Sequence, residues 1–190
     1  RFVKEVVPGS DSPVDAEAVC GWIDRGGSRS YADRFWTLDP IDGTKGFLRG
    51  EQYAVALALI ERGEIVVAAL ACPNLPVHVD GSSEGAAPGS IFYAVRGEGA
   101  WAIPWGPDAD PGMKAVRIDV GSSSEPAAAR FCESVESGHS AHGDSARIAE
   151  LLGIGAPPVR LDSQAKYAVV SRGEADIYLR MPTKKDYREA

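Results

Sequence analysis

The sequence predicts an α/β chain of alternating helix and sheet layers, and three observations carry that prediction. Residues 53–60 and 64–72 are apolar runs joined at Arg62-Gly63, the pattern of an antiparallel hairpin. A second hairpin is expected from 90–95 and 100–103 around Arg96-Gly97-Glu98-Gly99. From Ala115 onward, strand and helix signals alternate, as they do in an α/β layer.

Taken in order, residues 1–27 read as a loop followed by a short helix over 14–24. Ser12 is the expected cap, with Pro13 at the first position, Asp15 and Glu17 in the first turn, and Gly26-Gly27 at the end. Residues 34–38 are a strand that runs into Asp39-Pro40-Ile41-Asp42-Gly43-Thr44, and a short helix or turn covers 45–49. The nearly unbroken apolar character of 53–72 predicts a sheet covered on both faces. Residues 78–90 and 105–112 are loops by their small, Gly and Pro content. The Gly97-Glu98-Gly99 segment is a turn rather than a phosphate loop, since no helix follows it. Further on, strands are expected at 116–120, at the end of 127–134, at 158–161 and at 176–180. Helices are expected at 145–152, closed by Gly153, and at 163–172, closed by Gly173. A domain boundary is placed near residue 114, giving units 1–114 and 115–190.

With 190 residues, 44% of them hydrophobic, the chain is long enough for one domain or parts of two. Its apolar runs are too short to cross a bilayer, so no membrane partner is expected. The formal net charge of −7 argues against a protein that coats nucleic acid. A small anion needs only a local cluster of cations, and Arg160, Lys166, Arg172, Arg180, Lys184, Lys185 and Arg188 crowd the C-terminal part. Cys20, Cys72 and Cys132 are scattered and odd in number, which suggests free thiols in a reducing compartment. The expected setting is the cytoplasm, or an organelle in a plant-like source. No leader is read at the start, and the first residue is not Met, so residues upstream are expected.

The strongest chemical signal is the turn 39–44. An apolar strand delivers Asp39 and Asp42 three residues apart at its end, Pro40 holds the bend, and Gly43 lets backbone approach a ligand. Two carboxylates and a carbonyl are the oxygen ligands that a hard divalent cation takes. The N–H groups that follow can hold a phosphate. The ordinary alternative is an Asx-type turn that caps a helix.

At this turn the chain resembles the inositol monophosphatase superfamily, whose hallmark is Asp39-Pro40-Ile41-Asp42-Gly43-Thr44. Lys45-Gly46-Phe47-Leu48-Arg49-Gly50, Gln52-Tyr53-Ala54-Val55-Ala56-Leu57 and Ala71-Cys72-Pro73-Asn74-Leu75-Pro76 resemble its bisphosphate nucleotidase branch. Two more blocks are similar to that branch. In 133–142 the resemblance assigns substrate contact to His139; the i, i+3 pair His139 and His142 lacks a third ligand for zinc. In Asp162-Ser163-Gln164-Ala165-Lys166-Tyr167, Ser163 is expected to cap the next helix, with Lys166 one turn in. A capped helix with an exposed lysine is the alternative there.

The resemblance implies a layered sugar-phosphatase type of α/β fold. Residues 1–114 would be the latter part of a metal-binding N-terminal α+β domain, and 115–190 the first part of a substrate-binding α/β domain. It implies Mg²⁺ held by Asp39, the Ile41 carbonyl and Asp42, with Asp42 and Thr44 as the catalytic pair. Gly43, Thr44, His139, Ser163, Lys166 and Arg180 would bind substrate. The implied reaction is lithium-sensitive hydrolysis of the 3'-phosphate of adenosine 3',5'-bisphosphate to AMP, with 3'-phosphoadenylyl sulfate as a further substrate. An inositol polyphosphate 1-phosphatase is the alternative within that superfamily.

The superfamily also uses a Glu of a Gly-Glu-Glu segment upstream and the Asp of a Trp-Asp pair after a stretch like Tyr187-Arg188-Glu189. Neither lies within these residues, so an internal segment of a longer protein is expected. A phosphate-binding piece without turnover is therefore the competing class.

Overall fold

The computed structural model describes residues 15–28, 32–77, 88–106, 112, 114–135 and 142–180. Helix α1 (Ala16–Gly26) is set two residues later than the helix expected over 14–24. Its cap is Asp15, whose carboxylate accepts from the Ala18 N–H at 2.8 Å; Ser12 and Pro13 of the expected start lie outside the described residues. Asp15 thereby satisfies one of the free N–H groups of the first turn.

A six-stranded antiparallel meander follows: β1 (Arg34–Asp42), β2 (Ala54–Glu61), β3 (Glu64–Cys72), β4 (Gly89–Val95), β5 (Gly99–Trp105) and β6 (Val116–Ile118), in that spatial order. Helix α2 (Thr44–Arg49) sits between β1 and β2. The β2–β3 hairpin closes through Arg62 at φ 51 and Gly63 at φ 82, the two left-handed positions that a tight two-residue hairpin turn requires. β6 lies beyond the expected boundary near 114, is shorter than the expected strand at 116–120, and pairs with β5.

The second layer is a three-stranded parallel sheet ordered β8–β7–β9, from β7 (Phe131–Ser134), β8 (Val159–Leu161) and β9 (Ile177–Tyr178). A 3-10 turn (Pro126–Ala128) precedes β7. Helices α3 (His142–Leu151) and α4 (Ala165–Ser171) make the crossovers that parallel strands need. Each ends where a glycine takes positive φ: Gly153 at 70 and Gly173 at 73.

The core binds the two layers together. Ala54, Cys72 and Phe92 of the large sheet cluster with Cys132, Ala165, Ala168 and Val169 of the second layer. Ala165 and Ala168 keep α4 slim on the side where it approaches β3. Among the described residues, the expected cover is present on one face of the large sheet. α4 lies over one face, while Trp36 and Leu38 on the other are each 57% exposed. An apolar run records what a strand can bury, not what lies on it.

Candidate active site

The geometry of the site begins with a register shift. In a regular strand, residues three apart point to opposite faces. β1 avoids this: Asp39 pairs with Ala56 but Asp42 pairs with Ala54, so β1 carries one extra residue between them. The bulge returns Asp42 to the face of Asp39. That face is the one under α4.

The turn is then pinned locally. The Asp39 carboxylate accepts from the Ile41 N–H at 3.2 Å, and the Thr44 hydroxyl donates to the Ile41 carbonyl at 3.3 Å. Gly43 caps α2 at φ 81. A Cβ there would come 2.6 Å from the Ser163 Cβ, so glycine lets the second layer close on the turn.

Across the seam, the Gln164 N–H donates to Asp42 Oδ2. This corrects the expectation that Ser163 caps α4. The cap position is Gln164, and Ser163 stands before it at φ 62 with its hydroxyl accepting from the Ala165 N–H at 3.2 Å. From one position before the cap, the Ser163 hydroxyl still takes the first N–H of α4, while the Asp42 carboxylate of the other layer takes the N–H of the cap residue itself. A carboxylate has lone pairs to spare for a second partner.

Lys166 is 6% exposed, and its ammonium bends back to donate to the Ser163 carbonyl at 2.6 Å and the Leu161 carbonyl at 3.3 Å. The exposed-lysine alternative is thereby excluded. Burial lowers its pKa below the ordinary 10.5, against the opposing pull of Cys132, Asp42 and Asp162. The ammonium also lies 5.7 Å from the Tyr178 ring centroid.

These groups face one cleft of about 620 Å³. One wall is Asp42, Gly43, Thr44 and Lys45; the other includes Ser163, Lys166, Tyr178 and Arg180. Asp39 lines an adjoining groove that shares Gln164 and Tyr167 with the cleft. Of the expected site residues, His139 lies outside the described residues, as do Lys184, Lys185 and Arg188. Arg160 and Arg172 leave the expected anion cluster: Arg160 pairs with the buried Glu133 at 3.2 Å, and Arg172 pairs with Glu174. Asp162, Gln164 and Tyr178 join the site without having been singled out as ligands. Gln164 acts through its backbone, which no side-chain pattern announces.

The donor set fits a hard divalent cation. Asp39 and Asp42 share one face at the end of β1, and with the Ile41 carbonyl they offer oxygen only. Among the described residues, no group of three or more His, Cys, Asp or Glu gathers that could complete such a shell.

A family model described as the inositol monophosphatase family matches residues 16–187. The chain is 50% identical over 184 residues to a 3'(2'),5'-bisphosphate nucleotidase of Emericella nidulans, covering 91% of this chain and 51% of that protein. It is 49% identical over 161 residues to 3'(2'),5'-bisphosphate nucleotidase 1 of Arabidopsis thaliana, covering 82% of this chain and 44% of the relative. The chain thus spans about half the length of the curated relatives it matches. Among solved structures it is similar in fold to Mycobacterium tuberculosis SuhB, with TM-score 0.57, 22% identity, and coverage of 88% of this chain and 65% of that one. CysQ from Bacteroides thetaiotaomicron is also similar, with TM-score 0.55, 20% identity, and coverage of 94% and 62%.

Proposed function

The chain belongs to the inositol monophosphatase family, and on that premise we propose that its protein is a Mg²⁺-dependent phosphomonoesterase that removes the 3'-phosphate of adenosine 3',5'-bisphosphate, with 3'-phosphoadenylyl sulfate as a further substrate. One observation carries the proposal. Asp42 and Thr44 face the same cleft as Ser163, Lys166 and Arg180, which come from a different sheet layer more than a hundred residues on. Such a cleft suits a ligand with a phosphate at each end. The names of the curated relatives, 3'(2'),5'-bisphosphate nucleotidases, support a bisphosphate nucleotide as the substrate class.

Asp39, Asp42 and the Ile41 carbonyl would hold Mg²⁺, which when bound polarises a phosphoryl group and makes a bound water more acidic. The chain's own groups do the rest. The backbone at Gly43 and Thr44 borders the reacting phosphate, and the Thr44 hydroxyl, placed beside the Ile41 carbonyl, orients the attacking water. Lys166 supplies a desolvated positive charge to the far end of the nucleotide, assisted by Arg180 and the Ser163 hydroxyl. Burial of Lys166, 6% exposed, leaves its charge less screened by water and so strengthens its pull on an anion.

The test is phosphate release by the full-length gene product, with Mg²⁺ and after chelation. Release from adenosine 3',5'-bisphosphate should need Mg²⁺ and fall with Li⁺. Release from inositol 1,4-bisphosphate alone would point to an inositol polyphosphate 1-phosphatase. Release from neither would overturn the phosphatase reading.

A further inference from the structure

We infer that Arg49 and Asp162 form a positioning bridge that sets the spacing between the two walls of the cleft. The inference rests on the reading above for its substrate, but its geometry stands apart from it. Arg49 is the last residue of α2 and Asp162 follows β8; they are 113 residues apart, and Arg49 Nη2 donates to Asp162 Oδ2 at 2.6 Å. Asp162 is 5% exposed, so the pair is formed by a desolvated carboxylate, the setting in which an ion pair has firm geometry. A second carboxylate, Glu51, takes the Arg49 Nε at 2.7 Å and aims the guanidinium. Gly46, one turn before Arg49, leaves room for this approach: a Cβ there would come 3.0 Å from Asp162 Oδ2 and run into the Gln52 carbonyl.

What Asp162 carries makes the bridge matter. Its two neighbours, Leu161 and Ser163, supply the carbonyls that hold the Lys166 ammonium. Ser163 stands at φ 62, a backbone state that a serine keeps only when its surroundings over-determine it. Fixing Asp162 to α2 therefore fixes the two carbonyls, the left-handed Ser163 and the Gln164 N–H that meets Asp42. A shift of the loop would move Lys166 relative to Thr44, which a substrate touching both walls would register and a small one would not.

The test uses the full-length gene product and the variants Arg49→Ala, Arg49→Lys, Asp162→Asn and the double Arg49→Ala/Asp162→Asn. Two readouts are taken: hydrogen exchange of the Gln164 amide, and the ratio of kcat/KM for adenosine 3',5'-bisphosphate to that for p-nitrophenyl phosphate. A general folding defect lowers both rates together and leaves the ratio in place. Arg49→Ala and Asp162→Asn should each speed the exchange and lower the ratio roughly tenfold. The double variant should add little to either, and Arg49→Lys should recover part of both. An unchanged ratio, or losses that simply add, overturns the bridge. A wild-type protein that does not cleave the nucleotide overturns the proposed function instead, and the exchange of the Gln164 amide then decides the bridge by itself.

Discussion

The two ends of α4 meet the large sheet through different chemistry. At its C-terminal end, the Arg172 side chain is 7% exposed and turns to internal partners. It donates to the Pro76 carbonyl at 2.6 Å and the Val77 carbonyl at 3.1 Å, pairs with Glu174, and lies 5.9 Å from the Phe92 ring centroid. At the N-terminal end, Asp42 meets the Gln164 N–H, and Lys166 spends two of its three donors on carbonyls. That end opens on a cleft. One end is closed upon itself, and the other keeps charged groups oriented with capacity left over. Buried charge that is fully satisfied locks a structure; buried charge that is partly satisfied beside a cleft is poised for a ligand.

Substitutions at the two ends should therefore fail in different ways. The largest effect is expected from Asp42→Asn, which keeps an oxygen for the Gln164 N–H but removes the charged ligand. Phosphate release by the full-length gene product should fall roughly a thousandfold, with a thermal midpoint close to wild type. Near-full activity of this variant would remove the metal role of Asp42.

Arg172→Ala should do the reverse. It strands Glu174 and two carbonyls and should cost about 3 kcal/mol of stability, read from urea unfolding. KM for the nucleotide should hold in the protein that remains folded. A selective rise in KM would erase the contrast between the two ends.

Lys166→Met sharpens the comparison through pH. Burial lowers the Lys166 pKa, so between that lowered value and 10.5 the unfolded chain holds a proton that the folded one lacks. Stability attributable to this group rises with pH across that window, and its cost is fully present below it. The methionine variant should thus unfold at higher temperature than wild type near neutral pH, with the advantage shrinking toward 10.5. Its affinity for the nucleotide should drop roughly tenfold, the size of one charge-assisted phosphate contact. A variant less stable than wild type at neutral pH would mean that Lys166 is a structural strut alone.

The smallest effect concerns the thiols beneath the seam. Burial pushes Cys72 up to about 12 and Cys132 up to about 11, whereas Cys20 is exposed. In the native chain a thiol reagent at neutral pH should label Cys20 quickly and the other two only on unfolding. Rapid labelling of Cys132 would show that the packing beneath Lys166 opens readily.

Much of this molecule is decided by local chemistry and could be read from the residues in order. The hairpin at Arg62-Gly63, the helix ends at Gly153 and Gly173, and the turn from Asp39 to Thr44 each depend on neighbours within a few positions. Ser163 and Lys166 were legible as cleft residues through the motif that carries them, and Arg180 through the family resemblance.

Other features depend on residues far apart in the chain, and only the folded molecule could settle them. No spacing rule announces that β1 bulges between Asp39 and Asp42, because register is set by the pairing with β2. Ser163 was expected at the cap position, but Gln164 holds it, and its N–H is taken by Asp42, a carboxylate more than a hundred positions away. Arg172 and Arg160 looked like anion binders until Glu174 and Glu133 took them. A charge in a sequence declares only its sign; whether it binds a ligand or a neighbour depends on which groups burial brings within hydrogen-bonding distance.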